Sequence, residues 1–166
     1  MSIGTSTAHA CSRTPAPACA PEPGAAAGSA ARIWPLASYL ALAALVTAPS
    51  AGRAHVRRIL AEWGLGHLTD DAELLVSELV TNGVRASRPG DPVGLRLLAD
   101  QERLIIEVWD HSPGLPRPRH PDQCSPGGRG FSVIEAIAGR WGYRRVTASL
   151  KVVWCELPAG AAQGRQ

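Results

Sequence analysis

Glu78-Leu79-Val80-Thr81-Asn82-Gly83-Val84-Arg85 is the stretch whose reading decides the rest. At about 100° per residue of helix, Glu78, Asn82 and Arg85 fall within roughly 60° of one another on one polar stripe. Leu75, Val76, Leu79, Val80, Gly83 and Ala86 take the opposite arc and supply a core-facing surface. A carboxylate, a carboxamide and a guanidinium therefore line a single edge. Glu78 is suited to act as a general base toward a hydroxyl or water. The side-chain oxygen of Asn82 is a hard ligand suited to Mg²⁺, which keeps waters and phosphate oxygens as its other ligands. Taken alone, the same face also reads as an ordinary solvated helix surface with a Glu78 to Asn82 or Arg85 contact.

Two later segments add to this one. Residues 93–98 and 104–109 read as adjacent strands, with Ala99-Asp100-Gln101-Glu102-Arg103 as the hairpin between them. Asp110 stands where the second apolar run stops, in Asp110-His111-Ser112-Pro113-Gly114, and Pro113-Gly114 forces a turn beyond it. An ionised Asp only accepts hydrogen bonds, so at a pocket floor it can take the exocyclic amine of adenine; otherwise it caps the turn. Further on, Ser125-Pro126-Gly127-Gly128-Arg129-Gly130 runs into an apolar segment, 131–138, that reads as a helix. Glycines admit an anion close to the backbone, and the free N–H groups of a helix start favour phosphate. Helix, aspartate turn and glycine loop, in that order, describe a nucleotide site.

The same residues carry a family resemblance. ELVTNGVR resembles the N box of the histidine-kinase-type (Bergerat) ATP-binding fold, WDHSPGLP its first glycine box, and GGRGFSVIEAIAGRWGY its second. Within that superfamily the chain most resembles the bacterial anti-sigma-factor serine/threonine kinases and their small actinobacterial relatives, over roughly residues 40–157. The resemblance implies that Glu78 is the general base and Asn82 the magnesium ligand. It further implies that ATP is bound by Asn82, Arg85, Asp110, Ser112, Gly114, Gly127, Gly128, Arg129 and Gly130, with residues 115–126 as a lid over the phosphates. ATP and Mg²⁺ are the implied cofactors. A sigma factor and an anti-sigma-factor antagonist are the implied partners, and a homodimer is compatible with the resemblance.

The chain departs from the family pattern at five places. Ser112 stands for a common glycine, Gly83 for the usual Ala beside the N-box Asn, and Ala86 for a common His. Val152 falls where the family commonly places a Thr near the adenine, and Leu150 replaces a preceding Gly. Gly83 costs about 1 kcal/mol of helix propensity. A lost hydrogen bond at Val152 costs about 0.5–1.5 kcal/mol, which weakens ATP binding without abolishing it.

Length and composition agree with one folded unit. A chain of 166 residues fits a single core plus tails. The formal charge of +3 comes almost entirely from Arg, since Lys151 is the sole lysine, and the Arg residues are scattered rather than gathered into a nucleic-acid footprint. Cys11, Cys19, Cys124 and Cys155 have no C-x-x-C spacing, so they are read as reduced thiols in a cytoplasmic protein rather than as metal ligands. His111 and His120 read as solvated loop residues.

Residues 1–32 are an Ala/Pro-rich tail that cannot bury enough apolar surface to order, and they carry no signal-peptide pattern. Residues 36–48 are apolar but too short and too bounded by prolines to span a membrane. The expected domain is 33–158, with 159–166 as a second tail. Its first strand is expected at 39–46, followed by a helix capped by Thr47 and running to Trp63, with Val56, Ile59, Leu60 and Trp63 inward and Gly64 as terminator. Asp70 with Glu73 is expected to form a capping box that starts the N-box helix. The closing hairpin is expected at 141–146 and 151–157.

The expected fold class is α+β: a two-layer α/β sandwich, with a mixed, mostly antiparallel sheet and helices on one face. The expected function is an ATP-binding regulatory protein that phosphorylates an antagonist protein. An alternative is a nucleotide-gated, anti-sigma-type binding module without kinase activity. The ATP-binding half of a sensor histidine kinase is disfavoured, because no dimerisation helices with a phosphoacceptor His precede the domain.

Overall fold

The structure, a computed structural model, describes residues 34–112, 114 and 129–160. Five strands form one sheet in the order β1-β2-β3-β5-β4: β1 (Leu36–Ala43), β2 (Pro92–Ala99), β3 (Arg103–Asp110), β4 (Arg140–Arg145) and β5 (Lys151–Pro158). All four pairings between them are antiparallel. Three helices, α1 (Ala48–Glu62), α2 (Thr69–Ala86) and α3 (Arg129–Ile137), complete the fold.

Alternation along the strands decides which residues meet the helices. Val93, Leu95, Leu97 and Ala99 of β2 share the helix-facing core with Leu104, Ile106 and Val108 of β3 and Val153, Cys155 and Leu157 of β5. Val56, Ile59 and Leu60 of α1 and Ala72, Leu75, Val76, Leu79 and Val80 of α2 close that core from one side. The expected one-sided sandwich is the architecture found, with a sheet that is antiparallel throughout rather than mixed.

The opposite face of the sheet is built differently. Glu107, 1% exposed, accepts hydrogen bonds from Arg96 Nε at 2.7 Å and from Trp109 Nε1 at 3.1 Å. The guanidinium carbons of Arg96 and Arg144 stand 5.3 and 5.2 Å from the Trp109 ring centre, within cation–π range.

Several local expectations are met for the stated reasons. Gly64, at φ 71°, ends α1: Leu65 N–H donates to Leu60 O and Gly64 N–H to Ala61 O, the paired bonds of a Schellman turn. The β2–β3 hairpin is closed by Asp100, whose Oδ1 accepts from the N–H groups of Glu102 and Arg103.

Others are corrected. The first strand is Leu36–Ala43 rather than 39–46, because its partner begins at Pro92. Past Ala43 only Ala44 N–H finds a sheet-end acceptor, Asp91 O, and Leu45 and Val46 are exposed. Thr47 precedes α1 but makes no side-chain cap; Ser50 Oγ instead donates to Thr47 O. Asp70 and Glu73 form no capping box. Leu68 is the N-cap of α2, which leaves Asp70 and Asp71 inside the first turn, where their charge favours the positive end of the helix dipole. Glu73 turns sideways to Arg57 of α1 at 2.7 Å. Ala86, assigned to the core-facing arc, is exposed. Just past β5, Ala159 is buried and its N–H donates to Glu102 O at 2.7 Å, a contact that leaves the expected domain bounds untouched.

Candidate functional site

Helix α2 presents its polar edge where the sequence periodicity places it. Glu78 and Asn82 are half-buried and Arg85 is exposed. The amide nitrogen of Asn82 is buried without a hydrogen-bond partner among the described residues. The orphaned carboxamide is fixed on a packed helix rather than on a loop.

Gly83, the residue after Asn82, sets how close this helix lies to the sheet. A Cβ added there would stand 3.2 Å from Val108 Cγ1 and 3.7 Å from Asp110 Cβ. The departure at Gly83 thus has a packing cause: the absent methyl lets α2 approach the end of β3. Asn82 and Asp110 are thereby brought to one end of the sandwich.

Asp110, 1% exposed, ends β3 and faces the first residue of β5, Lys151, directly across the strands. Lys151 Nζ donates to Asp110 Oδ1 at 2.7 Å and to Ser112 Oγ at 2.8 Å. Lys151 and Ser112 are each 4% exposed, so the three polar groups form one buried cluster. Burial raises the Asp110 carboxyl above its ordinary value of 3.8, and the bonds from Lys151 and Ser112 pull against that rise. The neighbouring Gly114 is exposed, and His111 is exposed with Nδ1 3.3 Å from Pro92 O.

Lys151 was absent from the residues singled out by sequence. Its signal was present, since it is the sole lysine of the chain, but its partner lies 41 residues earlier and the β3–β5 pairing is not local. Val152, at the position where the family commonly places a Thr, pairs with Trp109 and so lies on the face turned away from the helices, opposite the Asp110 cluster. Leu150 lies in the turn before β5, where Thr147 Oγ1 accepts from its N–H.

The glycine segment is placed in part. Helix α3 starts at Arg129, so Arg129 and Gly130 belong to its first turn and not to the preceding loop. The first N–H groups of a helix have no intrahelical acceptor and remain free for an anion. Gly127, Gly128, the lid at 115–126, Cys11, Cys19, Cys124, His120 and the tail 1–32 lie outside the described residues. Cys155 is fully buried, and burial pushes its thiol well above the ordinary value, so it is a core residue.

The sequence model of the histidine kinase-like ATPase domain matches residues 42–155, from within β1 to within β5. The chain belongs to the histidine kinase-like ATPase domain family. Domains of this family bind ATP, usually with Mg²⁺. Two solved structures are similar to this ATPase domain. The catalytic domain of histidine kinase ThkA has 14% sequence identity and a TM-score of 0.45, over 74% of this chain and 97% of that one. Histidine kinase AdeS from Acinetobacter baumannii has 17% identity and a TM-score of 0.43, over 74% of this chain and 68% of that one. No curated protein matches the chain by sequence.

No group of three or more His, Cys, Asp or Glu able to hold a metal occurs among the described residues. Mg²⁺ at Asn82 would therefore depend on phosphate oxygens and water for its remaining ligands, which is its ordinary habit with nucleotides. No helix among the described residues is long and apolar enough to cross a membrane.

Proposed function

We propose that this chain is an ATP-binding regulatory protein acting as a serine/threonine kinase of the anti-sigma-factor type. Its substrate would be an antagonist protein, and a sigma factor its second partner. The observation that carries the reading is the shared placement of Glu78 and Asn82. Both are half-buried one turn apart on α2, and the Asn82 side-chain nitrogen has no hydrogen-bond partner among the described residues. At the same end of the sandwich, Gly83 lets α2 approach Asp110.

The roles divide by chemistry. Asn82 would hold Mg²⁺ through its side-chain oxygen; the bound metal would neutralise charge on the phosphates. Asp110 would accept the adenine amine, and the free N–H groups of α3 would face phosphate, with Gly127, Gly128 and Arg129 beside them. Arg85, exposed one turn beyond Asn82, would supply a cation at the phosphate edge. Glu78 would take the proton of the substrate hydroxyl, which its carboxylate can do as ionised acceptor.

The test is transfer of labelled phosphate from ATP to purified antagonist-type domains. Transfer to a Ser or Thr of the antagonist supports the reading. Nucleotide-dependent capture of the antagonist without any transfer leaves the binding-module alternative in its place.

A further inference from the structure

We propose that Lys151 is a second base-reading residue of the nucleotide pocket, donating a hydrogen bond to the ring nitrogen N1 of adenine beside the Asp110 carboxylate. The inference rests on the nucleotide reading above and extends it to a residue outside the family-like motifs.

Three observations carry it. The first is the row of cross-strand partners on the helix-facing side of β3 and β5. Leu104 pairs with Leu157, Ile106 with Cys155 and Val108 with Val153, all apolar; the fourth pair is Asp110 with Lys151. A buried ion pair is a poor source of stability compared with apolar neighbours of the same volume. The change in chemistry falls at the end of the row next to Gly83, the residue that follows Asn82 on α2.

The second observation is the count of donors. An ammonium carries three N–H bonds. Lys151 directs hydrogen bonds to Asp110 Oδ1 at 2.7 Å and Ser112 Oγ at 2.8 Å, and these are its bonds among the described residues. One donor is left for an acceptor, and the Asp110 carboxylate, with about four lone-pair sites, keeps acceptor capacity for a donor.

The third is complementarity. Carboxylate and ammonium side by side present an acceptor next to a donor. The Watson–Crick edge of adenine presents the opposite, a donor at the 6-amino group next to an acceptor at N1. Because the pair is charge-balanced, it reads a neutral base without leaving a net buried charge. A 6-oxopurine in the same pose would set O6 against the carboxylate and N1–H against the ammonium, so the pair also rejects it.

The experiment compares the affinities of ATP and 1-deaza-ATP, in which C–H replaces N1, by titration calorimetry of the full chain with Mg²⁺. The expected result is that 1-deaza-ATP binds about tenfold to a hundredfold more weakly, the scale of one hydrogen bond from a charged donor. In Lys151→Met the two nucleotides should bind alike. Equal affinities in the unsubstituted chain overturn the role of Lys151 and leave nucleotide binding standing. Tighter ATP binding by Lys151→Met also overturns it, because the ammonium would then be competing with adenine for Asp110. Failure of the unsubstituted chain to bind either nucleotide removes the nucleotide reading and this inference together. Should Lys151→Met not fold, the comparison in the unsubstituted chain decides alone.

Discussion

Gly83 of α2 and Val108 of β3 are packed so closely that a methyl group on Gly83 would stand 3.2 Å from Val108 Cγ1. Val108 is β-branched and 1% exposed, so it has little freedom to yield. Gly83→Ala should therefore forfeit the gain of about 1 kcal/mol that Ala ordinarily brings to a helix interior. Gly83→Val should cost about 1–3 kcal/mol by overpacking. In a Val108→Ala background Gly83→Ala should become stabilising. Urea unfolding of the four variants measures this, and a full propensity gain in Gly83→Ala alone would show that the contact is slack.

The Asp110–Lys151 pair makes an asymmetric prediction for stability without nucleotide. Asp110→Ala leaves the Lys151 ammonium buried with Ser112 as its remaining partner, and should destabilise by about 3–5 kcal/mol. Replacing both residues with apolar groups of similar volume, Asp110→Leu with Lys151→Met, should recover most of that loss. A double variant as unstable as the single one would mean that the cluster supports the β3–β5 pairing by more than charge balance.

Magnesium and proton transfer should separate on α2. Asn82→Ala should remove the Mg²⁺ dependence of ATP binding, read as the loss of the Mg·ATP-induced rise in melting temperature. Glu78→Gln keeps shape and hydrogen-bonding capacity but cannot accept a proton, so it should retain that rise and lose phosphotransfer. Retained transfer in Glu78→Gln would exclude Glu78 as base.

His55 should give the fold an acid limit above that of the carboxylates. Its Nε2 lies 3.0 Å from Ser38 Oγ, tying α1 to β1. Burial and the nearby Arg58 lower its protonation below the ordinary value of 6.5, against a smaller opposing effect of Glu62. Since the folded value is the lower one, the unfolded chain takes up the proton first. The contribution to stability is complete above pH 6.5 and is lost as pH falls through the folded value. His55→Asn should flatten this part of the stability profile, measured as urea midpoints at successive pH values. Asp110 acts with the opposite sign: its raised carboxyl value favours the fold below the ordinary 3.8, and that contribution is lost as pH rises through the folded value.

The elements that could be read from sequence are those written in short-range chemistry. The helix period of Leu75, Val76, Leu79 and Val80 gave α2 its face, Gly64 its neighbour's end, and Asp100 the tight hairpin between two apolar runs. The misplaced boundaries share one cause. Tyr39–Val46 has the same apolar character as Leu36–Ala43, and only the register against Pro92–Ala99 selects the latter. Asp70 satisfies a capping pattern, yet the single 3₁₀ turn at Gly66–Leu68 starts the helix earlier. Lys151 was invisible as a site residue because its meaning comes from Asp110, and the sheet order that joins them cannot be read from either segment alone.

The burial of Lys151 has a consequence for the chemistry of the protein's surface. As the chain's sole lysine it carries the only side-chain amine, and it is 4% exposed. Acylating reagents and amine-directed crosslinkers should therefore find almost nothing to react with on the folded domain. Acylation at this position requires the amine to leave Asp110 and Ser112, so its rate becomes a clock for the release of that cluster, read at one atom without any label being introduced.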